Sequence, residues 1–312
     1  MRAIAMNEAG RFELASFDPP HPEAGQVLVS VRAVSLNRGE VLRARAERSG
    51  FRPGWDFAGI VTQAGTGTDL ELGTRVAGYL PSGAWAETVA VAPRQIAAIP
   101  EGISFLVAAS LPVAGLTALG AIDAGGSLVG RKVLVTGATG GVGIFAVYLA
   151  SLGSAEVTAA VRRPVEECRR LFPASANIVS GQSGVIGAAY NGPFHLVVET
   201  LGGAALGEAM AMLSHSGKCV TLGVTDGVRT SFDAERFFMT GNASLEGFVL
   251  FRDRLANPSE GMERLLRLVA SGKLPVMLGH SDPWQNIEAV AEKLMAREFL
   301  GKAVLTLEEQ AS

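Results

Sequence analysis

Between residues 132 and 152 the chain runs from a short apolar stretch, Lys132-Val133-Leu134-Val135-Thr136, through a cluster of glycines into Ile144 to Leu152, which is apolar almost all round. The cluster reads Thr136-Gly137-Ala138-Thr139-Gly140-Gly141-Val142-Gly143. A strand, a glycine-rich turn and a helix in that order constrain the fold more than any other feature. Glycines let the backbone leave a strand sharply and let an anion approach the amides at a helix N-terminus. A tight turn that binds nothing is the alternative. A second strand, Glu156 to Val161, lies one βαβ unit downstream, which favours a dinucleotide pyrophosphate cradled at Gly137, Gly140, Gly141 and Val142.

The end of that second strand selects the dinucleotide. An acidic residue there would bind the ribose 2′-hydroxyl of NAD. This strand ends Ala159-Ala160-Val161-Arg162-Arg163 instead. Two guanidinium groups suit a 2′-phosphate through charge-assisted hydrogen bonds, so NADPH is the expected cofactor, with Arg162 and Arg163 its ligands. The alternative is that one or both face water.

Strands alternate with helical segments over the rest of this region. His195 to Glu199 and Lys218 to Leu222 read as further buried strands of a parallel sheet. Residues 1–100 differ: short strands such as Gln26 to Val34, Gly59 to Val61 and Arg75 to Gly78 are separated by Pro and Gly turns. Glu260 to Ala270 and Ile287 to Met295 carry apolar residues at helical spacing, and Lys302 to Leu307 reads as a last strand.

With 312 residues, 48% of them hydrophobic and 18% charged, the chain is globular and long enough for two cores. A net charge of -3 supplies no basic excess for a nucleic-acid partner. Two cysteines exclude a disulfide framework and fit a reducing cytoplasm, and the start, Met1 to Glu8, has no signal-peptide pattern. The uncharged stretches Ile103 to Ile122 and Val133 to Ala155 are long enough for a membrane, but their Pro and Gly interruptions read as buried α/β core. No membrane partner is expected.

The glycine cluster also fits the short-chain dehydrogenase pattern, which needs a Tyr four residues before a Lys. Tyr79, Tyr148 and Tyr190 are followed at that spacing by Gly83, Leu152 and Phe194, so that pattern fails. The chain instead resembles the medium-chain dehydrogenase/reductase superfamily, in its zinc-independent quinone oxidoreductase and enoyl reductase-like branch. The resemblance rests on Leu36-Asn37-Arg38-Gly39-Glu40, Pro53-Gly54-Trp55-Asp56-Phe57-Ala58-Gly59, Gly73-Thr74-Arg75-Val76, Gly83-Ala84-Trp85-Ala86-Glu87, Leu116-Thr117-Ala118, Val198 to Gly203 and Gly301-Lys302-Ala303-Val304-Leu305. It implies an α/β fold: a Rossmann doubly wound parallel sheet, residues 115–253, inserted into a GroES-like β-rich catalytic domain, residues 1–114 plus 254–312. Zinc-dependent relatives carry a Cys near position 37 and a His-Glu pair near 55–56. Asn37 and Trp55-Asp56 stand there, and the four histidines are scattered, so no metal is expected.

The resemblance further implies hydride transfer from NADPH to a quinone or α,β-unsaturated carbonyl. Asn37 would bond the nicotinamide ribose or the acceptor oxygen. Thr117, Gly223, Val224, Phe248, Val249 and Lys302 would lie along the cofactor, Phe248 and Val249 on an edge strand where core or dimer contacts are the alternative. Two departures bear on the chemistry: Glu40 replaces an Asp, and Leu42 stands where some relatives have a Tyr. Glu40 and Tyr79 remain as candidate proton donors. A basic patch of Arg43, Arg45, Arg48 and Arg52 suits either the phosphates of a coenzyme A thioester or plain solvent. Two other functions stay open: an enoyl-thioester reductase of polyketide or fatty-acid type, and a low-turnover NADPH-binding sensor. The family implies a homodimer.

Overall fold

A computed structural model describes residues 1–68, 70–181, 191–252 and 257–307; Tyr190 and the expected 253/254 boundary lie outside them. The chain divides into two compact units, residues 1–116 with 254–312 and residues 117–253.

The first unit opens with an antiparallel hairpin, β1 (Arg2–Met6) and β2 (Phe12–Ser16). There follow β3 (Val27–Leu36), α1 (Arg38–Arg45), β4 (Asp56–Ala64), β5 (Arg75–Tyr79), β6 (Thr88–Val91), β7 (Ile96–Ala98) and α2 (Phe105–Ala109). The helix α3 (Pro112–Ala124) carries the chain into the second unit. There β8 (Lys132–Val135), α4 (Gly141–Leu152), β9 (Glu156–Val161), α5 (Val165–Cys168), β10 (Asn177–Ser180), β11 (Phe194–Glu199), α6 (Gly203–Met210), β12 (Leu213–Thr221), α7 (Ala234–Thr240) and β13 (Ser244–Gly247) follow in turn. The chain then returns to the first unit as α8 (Pro258–Ala270), β14 (Leu278–Pro283), α9 (Ile287–Ala296) and β15 (Lys302–Thr306).

The sheet of the first unit is ordered β14-β15-β3-β4-β5-β7, with β6 also paired to β3, and β3, β5 and β15 are buried along most of their length. Its core is built on Phe57, Trp85 and Trp284, all 0% exposed. The helix α8 buries Met262, Leu265 and Leu266, spaced at helical intervals. Each such side chain contributes roughly 1.5–3 kcal/mol by leaving water.

The second unit is a parallel sheet of order β10-β9-β8-β11-β12-β13. In chain order this is 3-2-1-4-5-6, the doubly wound arrangement in which ligands lie outside the carboxyl ends of the strands where the order reverses. That reversal falls between β8 and β11. A separate core of Leu134, Phe194, Val197 and Met210 lies here. The strand β10 has no clear apolar alternation, and sequence periodicity passes over it. The edge strand β13 ends at Gly247, so Phe248 and Val249 follow it and do not lie on it, a correction to the sequence expectation. Phe248 is buried and Val249 half-exposed. The uncharged stretches resolve into α2 with α3 and β8 with α4; among the described residues no helix is long and apolar enough to cross a membrane.

Candidate functional site

The glycine cluster sits at the β8/β11 reversal. Gly137 turns out of β8 with φ +56°, and a Cβ there would collide with Thr200 Oγ1. Gly140 is the N-cap of α4, and no side chain caps that helix. A Cβ on Gly143 would come within 2.5 Å of the Gly137 carbonyl, so the helix closes onto the turn only with glycine there. A 12-residue helix with an uncapped first turn, aimed from a glycine loop, is a site for a pyrophosphate. The residues present fit a dinucleotide.

Beneath this turn lies a carboxyl that in the sequence is only one residue of a motif. Glu199, at the end of β11, is 0% exposed. Its carboxylate accepts from Leu201 N at 2.7 Å, Gly202 N at 3.1 Å, Thr136 Oγ1 at 3.1 Å and Thr221 Oγ1 at 3.3 Å. Thr136 Oγ1 in turn accepts from Thr200 N at 2.9 Å, and Thr200 Oγ1 donates to the Thr136 carbonyl at 3.0 Å. The ends of β8, β11 and β12 are thereby tied together around one carboxyl. Desolvation raises its pKa above the usual carboxylate range, against the pull of the four donors. A Cβ on Gly223 would come within 2.8 Å of the Thr200 carbonyl, while Val224 is exposed.

Arg162 leaves the end of β9 and pairs with Asp226, in the turn after β12. Arg163 lies 3.8 Å from Glu167, one helical turn on. The two guanidinium groups therefore stand where the sequence puts them, and each has a carboxylate beside it.

In the first unit, the end of β3, the start of α1 and the strands β4 and β15 meet in a polar corner. Asp56, 0% exposed, accepts from Ser35 Oγ at 2.7 Å, Asn37 Nδ2 at 2.7 Å and Val113 N, in the first turn of α3, at 2.8 Å. Lys302 Nζ, 4% exposed, donates to Asn37 Oδ1 at 2.6 Å and the Leu36 carbonyl at 3.2 Å, and lies 3.4 Å from Asp56 Oδ2. Glu40, 2% exposed, accepts from Asn37 N, Asn37 Nδ2 and Trp55 N, each at 3.2 Å. Its burial, and next the charge of Asp56, hold its carboxyl well above the ordinary range. Asn37, Glu40 and Lys302 are thus brought together, with Ser35 and Asp56 added. The Asn-x-x-Glu spacing at a helix start is a capping signature that sequence alone contains.

This corner includes Asn37 and Asp56, two of the positions at which the family resemblance looks for metal ligands. Here an ammonium group of the chain itself already bonds the amide and carboxylate oxygens, and the donor set does not fit zinc. Among the described residues no group of three or more His, Cys, Asp or Glu is disposed to hold a metal. Tyr79 ends β5 opposite Asp56, only 7% exposed, and burial raises its phenol. Thr117 lies within α3, partly buried, and Leu42 is half-exposed on α1. The basic patch is largely committed on the surface: Arg43 lies 3.9 Å from Glu47, Arg45 3.3 Å from Glu288, and Arg52 stacks 4.8 Å over Phe17.

Residues 23–101 match the alcohol dehydrogenase GroES-like domain family, and residues 177–305 match the zinc-binding dehydrogenase family. The spectinabilin polyketide synthase system protein NorB of Streptomyces orinoci is 34% identical over 304 residues, covering 92% of this chain; the chain spans only 14% of that relative's length. Among solved structures, the quinone oxidoreductase from Coxiella burnetii superposes with a TM-score of 0.83 at 24% identity, covering 99% of both chains. A mycobacterial protein complexed with NADPH superposes with a TM-score of 0.86 at 23% identity, covering 98% of this chain and 100% of that one.

Proposed function

This chain belongs to the medium-chain dehydrogenase/reductase superfamily, in its quinone oxidoreductase and enoyl reductase-like branch, and from that premise we propose that it reduces a quinone or an α,β-unsaturated carbonyl with NADPH. The observation that carries the reading is the uncapped glycine turn at the β8/β11 reversal, with Arg162 and Arg163 and no acidic residue at the end of β9. The solved neighbour complexed with NADPH supports the same cofactor.

Bound there, reduced nicotinamide supplies a hydride to a conjugated acceptor, which with one further proton gains two electrons and two hydrogens. A conjugated acceptor spreads the incoming charge, so it does not need a metal to polarise it. Asn37 has both Nδ2 hydrogens engaged, by Asp56 and Glu40, and one Oδ1 lone pair taken by Lys302. It has no hydrogen left to donate, and only Oδ1, shared with the first turn of α1, can meet a further group. That favours a role in receiving a ribose hydroxyl over one in donating to the acceptor oxygen. Lys302 holds Asn37 in place. The burial of Glu40 and Tyr79 supports water as the source of the proton. Thr117, Gly223, Val224, Phe248 and Val249 are assigned to the cofactor's path on the family resemblance. The exposed edge strand β13, with ladder groups open on one side, supports a homodimer.

The test is NADPH oxidation against 1,4-benzoquinone, a simple enone and a crotonyl thioester, with NADH in parallel. Turnover of quinone or enone with NADPH preferred is expected. Turnover of the thioester alone would favour an enoyl-thioester reductase, the reading to which the polyketide synthase relative points. Tight NADPH binding without reduction of any of the three would refute the reductase reading in favour of a sensor.

A further inference from the structure

The Arg162–Asp226 pair joins two places that the sheet order keeps apart. Arg162 follows β9, on one side of β8. The turn that carries Asp226 is seated on the end of β11, on the other side: Asp226 N donates to the Leu201 carbonyl at 2.7 Å, and Gly203 N to the Gly227 carbonyl at 3.0 Å. Neighbouring strands are about 4.8 Å apart, so β9 and β11 stand roughly 10 Å apart with β8 between them. A guanidinium reaching from one to the other must cross the end of β8, where the glycine turn opens. A dinucleotide in this fold runs along that same edge, with its pyrophosphate on the turn and its adenosine ribose at the end of β9.

We propose that the Arg162–Asp226 pair is a strap across the dinucleotide crevice that either nicotinamide cofactor must open, so that Asp226 sets the affinity for both cofactors while Arg162 sets the preference between them. The idea rests on the NADPH reading above. Opening the pair releases a guanidinium whose side chain is 39% exposed and a carboxylate whose side chain is 18% exposed. A cofactor with a 2′-phosphate then gives the guanidinium a new and more highly charged partner. A cofactor with a 2′-hydroxyl does not. Asp226 has no part in holding the phosphate; it competes for the group that does.

The two variants carry different signs. Asp226→Asn removes the strap and leaves the phosphate ligand, so NADPH and NADH should both bind more tightly, by a similar factor of about three to five, as for a partly exposed ion pair. Arg162→Ala removes strap and ligand together. NADH should tighten by that same factor while NADPH weakens by about tenfold or more. The double variant should bind NADH no more tightly than either single one. Dissociation constants of the full chain, measured by titration calorimetry at fixed ionic strength, read all of this, with circular dichroism confirming the fold of each variant. Unchanged or weakened NADH binding in Asp226→Asn overturns the strap. A wild-type chain that binds neither cofactor overturns the strap together with the nicotinamide reading. If NADH tightens in both variants but Arg162→Ala leaves the NADPH/NADH ratio unaltered, the strap stands and the 2′-phosphate assignment falls.

Discussion

Replacing Glu199 with Ala tests how the crevice floor is held. The substitution removes the acceptor shared by Leu201 N, Gly202 N, Thr136 Oγ1 and Thr221 Oγ1. The two hydroxyls can rotate toward other acceptors; the two amides are fixed by the backbone. A buried amide left without a partner costs roughly 1–3 kcal/mol, so two cost about 2–6 kcal/mol. Against this, desolvation raises the pKa of the carboxyl, so its removal also removes a burial penalty and draws the expected loss to about 2–4 kcal/mol. Glu199→Gln keeps one oxygen for the amides and should lose only about 1 kcal/mol. Trp55, Trp85 and Trp284 all lie in the first unit, so tryptophan fluorescence does not follow this change. Hydrogen exchange at the Leu201 and Gly202 amides, read beside urea unfolding followed by circular dichroism, reports it directly. Equal losses for Gln and Ala, or a loss for Ala below about 1 kcal/mol, would refute the argument from acceptors.

Three further outcomes are expected. Gly137→Ala places a side chain at φ +56° against Thr200 and should lower NADPH affinity at least tenfold, with a loss of about 1–2 kcal/mol in stability; titration and thermal melting measure both. Lys302→Met strips the buried Asp56 of its cation and should destabilise the first unit by about 3–5 kcal/mol, seen in urea unfolding followed by tryptophan fluorescence. Glu40 binds its proton more tightly folded than unfolded, so the stability it lends is full below the ordinary carboxylate range and is lost as pH rises through its raised folded value. Glu40→Gln should therefore show a flatter fall of stability with rising pH above about 4.5, and a profile identical to wild type would contradict this.

Much of the fold was legible because it is local. The glycine turn, the apolar runs of β8, β9 and β11 and the helical spacing of Met262, Leu265 and Leu266 are patterns of a few residues each. What escaped the sequence depends on contacts between distant residues. Asp56 read only as a residue in place of a metal ligand; its part in the corner depends on Lys302, 246 positions away. Glu199 read as one letter of a family motif, since nothing local says that four donors converge on it. Arg162 read as a phosphate ligand, and its pairing with Asp226 reaches across the strand order, which periodicity does not encode. The Asn37–Glu40 capping pair is different: its spacing was in plain view, and family resemblance drew attention to catalysis instead of to the helix start.

The ammonium of Lys302 has one more consequence. A metal ion in this corner would have a dissociation constant, a supply and a competitor, and the geometry around Asn37 would hold only while the site was loaded. A cation tethered through its own side chain to β15 has an effective concentration fixed by the fold. The orientation of Asn37 is then complete as soon as the first unit folds, with no ion needed to hold it.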